Sequence, residues 1–152
     1  MSPDRIEREI TIAAPVERLW AVLTEPEHVG QWFGQGKPTQ MDLRPGGIML
    51  LDHGDAGTYP ARIEKVEPPR YFAYRWASAY PGEAATDDNS TLVEFTLIPE
   101  GAGTRLRLAE SGFTSLVIPE ARVPYSSYES HSKGWADKVA EVRDYAERRL
   151  ST

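Results

Sequence analysis

SKGWADKVAEVRDYAERRL, residues 132–150, ends the chain in a long helical pattern. Trp135, Val139, Val142, Ala146 and Leu150 recur at helical spacing, which predicts a helix over 133–149 with one apolar stripe. Arg143 with Glu147, and Asp144 with Arg148, form i, i+4 charge pairs on the opposite, wet face. A terminal helix with such a stripe needs a surface to bury it against. The residues upstream say which.

Between residues 39 and 111 the helical period gives way to alternation broken by turns. PTQMDL (38–43) and GGIMLLDHG (46–54) flank RPGG. TYPARIEKV (58–66) and RYFAYRWASAY (70–80) flank EPP. STLVEFTLI (90–98) and TRLRLAES (104–111) flank PEGAG. Each pair reads as strand, turn, strand, with Gly and Pro supplying the turn geometry. RIEREITI (5–12) adds a strand with Ile6, Ile10 and Ile12 on one face, for seven in all. Short turns between neighbours predict an antiparallel meander. Between the first two strands, Val16, Leu19, Trp20 and Leu23 predict a helix with Pro15 in its first position. Val29, Trp32 and Phe33 predict a second, begun by Pro26 and stopped by Gly34 and Gly36. The segment 112–131 fits short helical turns or loop. Strands segregated from helices make the class α+β, with the terminal helix on the inner face of the sheet.

The chain of 152 residues suits one domain, 1–152. Its net charge of −6 argues against nucleic acid, whose phosphates need a basic footprint, and against docking on an anionic membrane. The absence of cysteine removes disulfides, thiolate metal sites and thiol nucleophiles. A charged N-terminus and the lack of a long apolar run predict a cytoplasmic protein without membrane insertion. His28, His53 and His131 have no metal-ligand spacing, so no metal is expected, and no cofactor motif follows the first strand. GQWFGQGKPT imitates a phosphate loop but has five residues between Gly30 and Gly36, and Pro38 after Lys37.

ITIAAPVERLWAVLTEPEHVGQWFG, LRPGG, KVEPPRYFAYRW, GTRLRLAESGFTSL and SKGW, in this order, resemble the START-like (helix-grip, SRPBCC) superfamily. The closest branch is that of the activator of heat-shock-protein ATPase homologues. The resemblance covers about residues 5–150. It implies a curved seven-stranded antiparallel sheet gripping a long C-terminal helix, with two short helices between strands 1 and 2. A cavity for small apolar molecules commonly lies between sheet and helix. Family members bind lipid-like, aromatic or polyketide-like ligands, act as aromatases or cyclases, or stimulate a chaperone ATPase. The eukaryotic co-chaperones carry an additional N-terminal domain, which a first strand near residue 5 predicts to be absent here.

With inward parity taken from the family pattern, Met49, Leu51 and His53 face the cavity from one strand, and Phe72, Tyr74 and Trp76 from another. Val93, Phe95 and Leu97 follow, then Leu106, Leu108 and Glu110. Tyr59 and Ile63 join them from the sheet. Trp20, Trp32, Phe33, Trp135 and Val139 join from the helices. Such a set serves equally as a plain aromatic core or as pocket walls with a few polar handles. His53 and Glu110 are the candidate acid–base groups. Each lies at the end of an apolar alternation, where it is either wet or buried; burial would raise the pKa of a carboxylate. Tyr125 and Tyr128 are candidates for gating the mouth. The expected partner is a small hydrophobic molecule. A cyclase-like enzyme or a protein-interaction module is the alternative, and a homodimer stays open.

Overall fold

The computed structural model describes residues 4–33, 36, 38–54 and 57–150, without the side chains of residues 124, 125, 149 and 150. Alternation becomes sheet in β1 (Arg5–Ile12), β2 (Ile48–Asp52), β3 (Thr58–Glu67), β4 (Tyr71–Trp76), β5 (Thr91–Glu100) and β6 (Gly103–Ser111). All pairings are antiparallel, in the order β1-β6-β5-β4-β3-β2. The sheet is curved and unclosed. Its edges, β1 and β2, are joined through α1 (Val16–Thr24) and α2 (Pro26–Phe33). A register shift between Ile63 and Lys65 puts a bulge in β3, the kind of irregularity that bends a strand.

Six strands form where seven were expected. PTQMDL contributes a single bridge, Met41 to Met49, flanked by backbone bonds from Leu50 N–H to Gln40 O and from Asp42 N–H to Ile48 O. The turn takes it out of the sheet. Arg44 N–H bonds to Asp42 O and Gly47 N–H to Arg44 O, and a Cβ on Gly47 would sit 2.0 Å from Asp42 O. This tight fold-back leaves no length for a ladder.

Alternation then decides what is buried. Ile6, Ile12, Met49, Leu51, Ile63, Phe72, Phe95, Leu97, Leu106 and Leu108 fill the inner face. Leu19, Val22 and Leu23 from α1, with Val29, Trp32 and Phe33 from α2, cover part of it. The Trp32 indole N–H reaches Val22 O at 2.8 Å and ties the two helices together. Pro15 stands just before α1, as its cap, rather than in its first turn.

The segment 112–131 resolves into one-turn helices at Phe113–Ser115 and Glu120–Arg122, a four-residue α3 (Val123–Ser126), and the first turn of α4 (Tyr128–Leu150). The last helix therefore starts five residues before the expected 133, and seven before its apolar stripe begins at Trp135. Trp135, Val139, Val142 and Ala146 are buried. Arg8 fastens α4 to the edge strand through Ser132 O and Oγ at 3.0 and 2.6 Å. Glu147 accepts from Ala13 N–H at 2.8 Å, and Arg143 pairs with its neighbour Asp144 at 3.1 Å rather than with Glu147. Gly34 and the side chains of Tyr125 and Leu150 lie outside the described residues. Among the described residues no helix is long and apolar enough to cross a membrane.

Candidate functional site

The middle of the sheet–helix interface is solid. Phe72 and Phe95 stack at 6.4 Å, Trp32 meets Phe95 edge-on at 6.2 Å, and Trp20, only half-buried, meets Phe72 edge-on at 6.4 Å. Met49, Leu51, Ile63, Leu108 and Val139 pack into the same core. At one end the packing opens into a pocket of about 350 Å³. Phe33 ends α2, His53 follows β2, Tyr59 opens β3, and Trp76 and Ser78 lie at and just past the end of β4. Ser130, His131, Gly134, Trp135 and Lys138 complete the lining from α4. Residues spaced by three and four share a helix face, which is why one stripe of α4 forms a whole wall. The wall rings crowd one another. Phe33 lies 5.5 Å from Trp135 and 5.7 Å from Trp76, and Tyr59 lies 5.6 Å from Trp76.

Behind this wall is Glu110, fully buried on β6. One carboxylate oxygen serves the sheet. Oε2 accepts from the Trp76 indole at 2.8 Å and the Thr91 hydroxyl at 2.5 Å, residues that face each other across the β4–β5 ladder. The other oxygen serves the helix. Oε1 accepts from the Trp135 indole at 2.7 Å and contacts His131 Nδ1 at 2.7 Å, an i, i+4 pair on α4. Burial alone would push this carboxyl up. The adjacent His131 and the hydrogen bonds from His131, Thr91 and Trp135 outweigh it, so the pKa is lowered, opposite to the rise expected from burial. An ionised carboxylate only accepts, which makes His131 Nδ1 the protonated nitrogen and turns Nε2 away from Glu110. Tyr74, fully buried nearby, is pushed well above its ordinary pKa by burial and by Glu110.

His53 is different. Its ring is packed at 4.6 Å from Phe33 and 5.7 Å from both Tyr59 and Trp76. Burial, helped by the Lys138 charge, pulls its pKa down to about 4. Unfolding releases the ring to an ordinary value near 6.5. Between these values the unfolded chain binds the extra proton, so stability is lost as pH falls from about 6.5 toward 4. His53→Phe should flatten that part of the stability profile in urea titrations. An unchanged slope would place the lost stability elsewhere.

Of the residues expected at a cavity, Phe33, His53, Tyr59, Trp76 and Trp135 line the pocket, and Glu110 anchors its wall from behind. Trp20, Trp32, Met49, Leu51, Ile63, Phe72, Tyr74, Phe95, Leu108 and Val139 do not line it. Ser78, Ser130, His131, Gly134 and Lys138 were not anticipated. The spacing of His131 to Trp135 was the available signal. At Gly134 an added Cβ meets nothing within 4 Å, so no close approach of helix to sheet requires the glycine. Among the described residues no cluster of His, Asp and Glu could hold a metal ion.

Residues 13–147 match the family described as Activator of Hsp90 ATPase homolog 1-like protein. No curated protein matches the chain significantly. Among solved structures, DynU16, a protein in the dynemicin biosynthetic locus, superposes with a TM-score of 0.72 at 24% identity. The match covers 99% of this chain but 48% of DynU16, so this chain spans about half its length. MLL2253 from Mesorhizobium loti gives 0.70 at 26% identity, covering 95% of this chain and 97% of the other. The Aha1 dimer from Colwellia psychrerythraea gives 0.71 at 16% identity, covering 94% and 96%.

Proposed function

The chain belongs to the Activator of Hsp90 ATPase homolog 1-like family, and from that premise we propose that it binds a small apolar, aromatic molecule in the pocket between β4 and the first turns of α4. One observation carries this reading: the 350 Å³ space is walled by Phe33, Tyr59, Trp76 and Trp135, with a few polar side chains among them. That is the composition of a small-molecule site. Apolar burial supplies the affinity, and the Glu110 hub supplies preorganisation. With both indole N–H groups held by a carboxylate, the rings do not have to be ordered when a ligand arrives.

Titration with naphthalene, flavone and decanoic acid, read by thermal stability, tests the proposal. A probe present at a hundred times its dissociation constant stabilises the native state by about 2.7 kcal/mol. No saturable shift with any of the three would count against a binding pocket. The Glu110–His131 pair favours a second reading, an enzyme that moves protons on the bound molecule through this pair. It requires turnover that His131→Gln removes while binding persists. A second copy of this chain is a further candidate partner, given the dimeric Colwellia relative. A sedimentation coefficient that does not change with concentration and fits a monomer would dismiss it.

A further inference from the structure

The polar atoms around the pocket differ in what they still lack. Trp76 and Trp135 spend their N–H groups on Glu110. Lys138 is held by Trp32 O at 3.0 Å and neutralised by Glu141 at 2.8 Å. Arg122 reaches over from the preceding segment to donate to the Tyr59 hydroxyl and, at 3.1 Å, to Ser78 O; the latter also accepts from Ser126 Oγ at 2.7 Å. Every cationic side chain on this rim therefore already has a partner. Two buried atoms of pocket-lining residues do not: His53 Nε2 and Ser78 Oγ find no hydrogen bond among the described residues. Such groups are costly to leave unmade, so a native site tends to supply their partner. Both are shut off from bulk solvent. A molecule in the cavity would meet these atoms after rotation of the Ser78 hydroxymethyl group, or a turn of the imidazole about Cβ–Cγ, both residues being part of the lining.

We infer that the pocket selects an aromatic molecule bearing an uncharged hydroxyl, a phenol or naphthol, whose O–H donates to His53 while its oxygen accepts from Ser78. The inference rests on the pocket-binding reading above and adds the chemistry of the polar end. A neutral imidazole offers one acceptor nitrogen, and a serine hydroxyl can donate, so together they match a group that both donates and accepts. A carboxylate has no proton to give His53, and Lys138 in the lining is already neutralised by Glu141. A methyl ether keeps the accepting oxygen and loses the donor.

The test compares 2-naphthol, 2-methoxynaphthalene, 2-naphthoate and naphthalene by calorimetric titration at one pH near neutrality. The expected order puts 2-naphthol about tenfold tighter than 2-methoxynaphthalene, with 2-naphthoate weaker than both, one net hydrogen bond being worth about that factor. Ser78→Ala and His53→Phe should each bring the naphthol-to-naphthalene ratio toward one. Equal binding of all three uncharged probes overturns the hydroxyl inference and leaves the pocket standing. Tightest binding by 2-naphthoate overturns it in favour of an anion site. Ratios untouched in both variants overturn it as well, since the orphaned atoms are then satisfied internally. No binding by any of the four overturns the pocket reading and this inference together.

Discussion

Replacing Glu110 with alanine should cost about 3–5 kcal/mol of folding stability, the scale for removing one partner of a buried charged network. In a domain of this size that lowers the midpoint of thermal unfolding by roughly 10 °C. The loss is large because four donors converge on one side chain: two indoles, a hydroxyl and an imidazole, all brought out of water. Truncation strands all of them and opens a cavity as well. Glu110→Gln separates the two effects. It keeps the volume but discards the charge and replaces an accepting oxygen with an amide that faces donors. It should still cost about 2–3 kcal/mol, the range for hydrogen bonds to a charged group. Urea titrations of the three proteins read these differences. If Glu110→Gln is as stable as the parent, the carboxylate is not what holds helix to sheet.

The same carboxylate sets an acid limit. Its pKa is held below the ordinary 4.5 in the folded chain, so between the two values the unfolded state binds the extra proton. The stability it contributes is complete above about 4.5 and is lost as pH falls through the lower folded value. The gap between parent and Glu110→Gln should hold steady from neutrality down to that point and shrink below it. His53 acts earlier, from about 6.5 downward, so the two groups titrate in separable windows.

Much of the fold is written in local periods. Ile6 and Ile12 in β1, the Phe72–Tyr74–Trp76 parity in β4, and the Trp135–Val139–Val142–Ala146 stripe in α4 each fix a buried face without reference to any other element. The lost strand shows the limit of that logic. PTQMDL has nothing in its own composition that says the turn behind it leaves room for one bridge only. The site shows it more sharply. Parity put Glu110 on the inner face, but its partners lie 19 to 34 residues away in sequence. A face is a one-dimensional fact, whereas convergence of Thr91, Trp76, His131 and Trp135 on two oxygens depends on ladder register and helix placement. His131 was hidden further because α4 begins before its apolar stripe does. Nor does period distinguish filled space from open space, so Tyr74 and Phe95 in the core look the same in sequence as Tyr59 and Trp76 at the pocket.

Gly134 is where open space can be tested directly. Leucine there should raise stability by about 0.5–1 kcal/mol and weaken any pocket-bound probe more than tenfold. The gain comes from the backbone: glycine inside a helix is disfavoured by about that amount relative to a good helix former. The Cβ itself costs nothing, because at this position it meets no atom within 4 Å and the residue has no left-handed backbone to protect. The loss of binding has the same origin. Gly134 lines the pocket between His131 and Trp135, so the space a leucine enters is the space a ligand needs. Gly134→Ala is the control, with a similar gain in stability and a smaller effect on binding. The two measurements together decide the matter. A leucine variant that is more stable and still binds the probe at parental affinity moves the binding site away from this pocket. One that is more stable and no longer binds shows what the glycine does. It leaves a gap in a helix wall, at a cost in folding free energy that no packing contact explains.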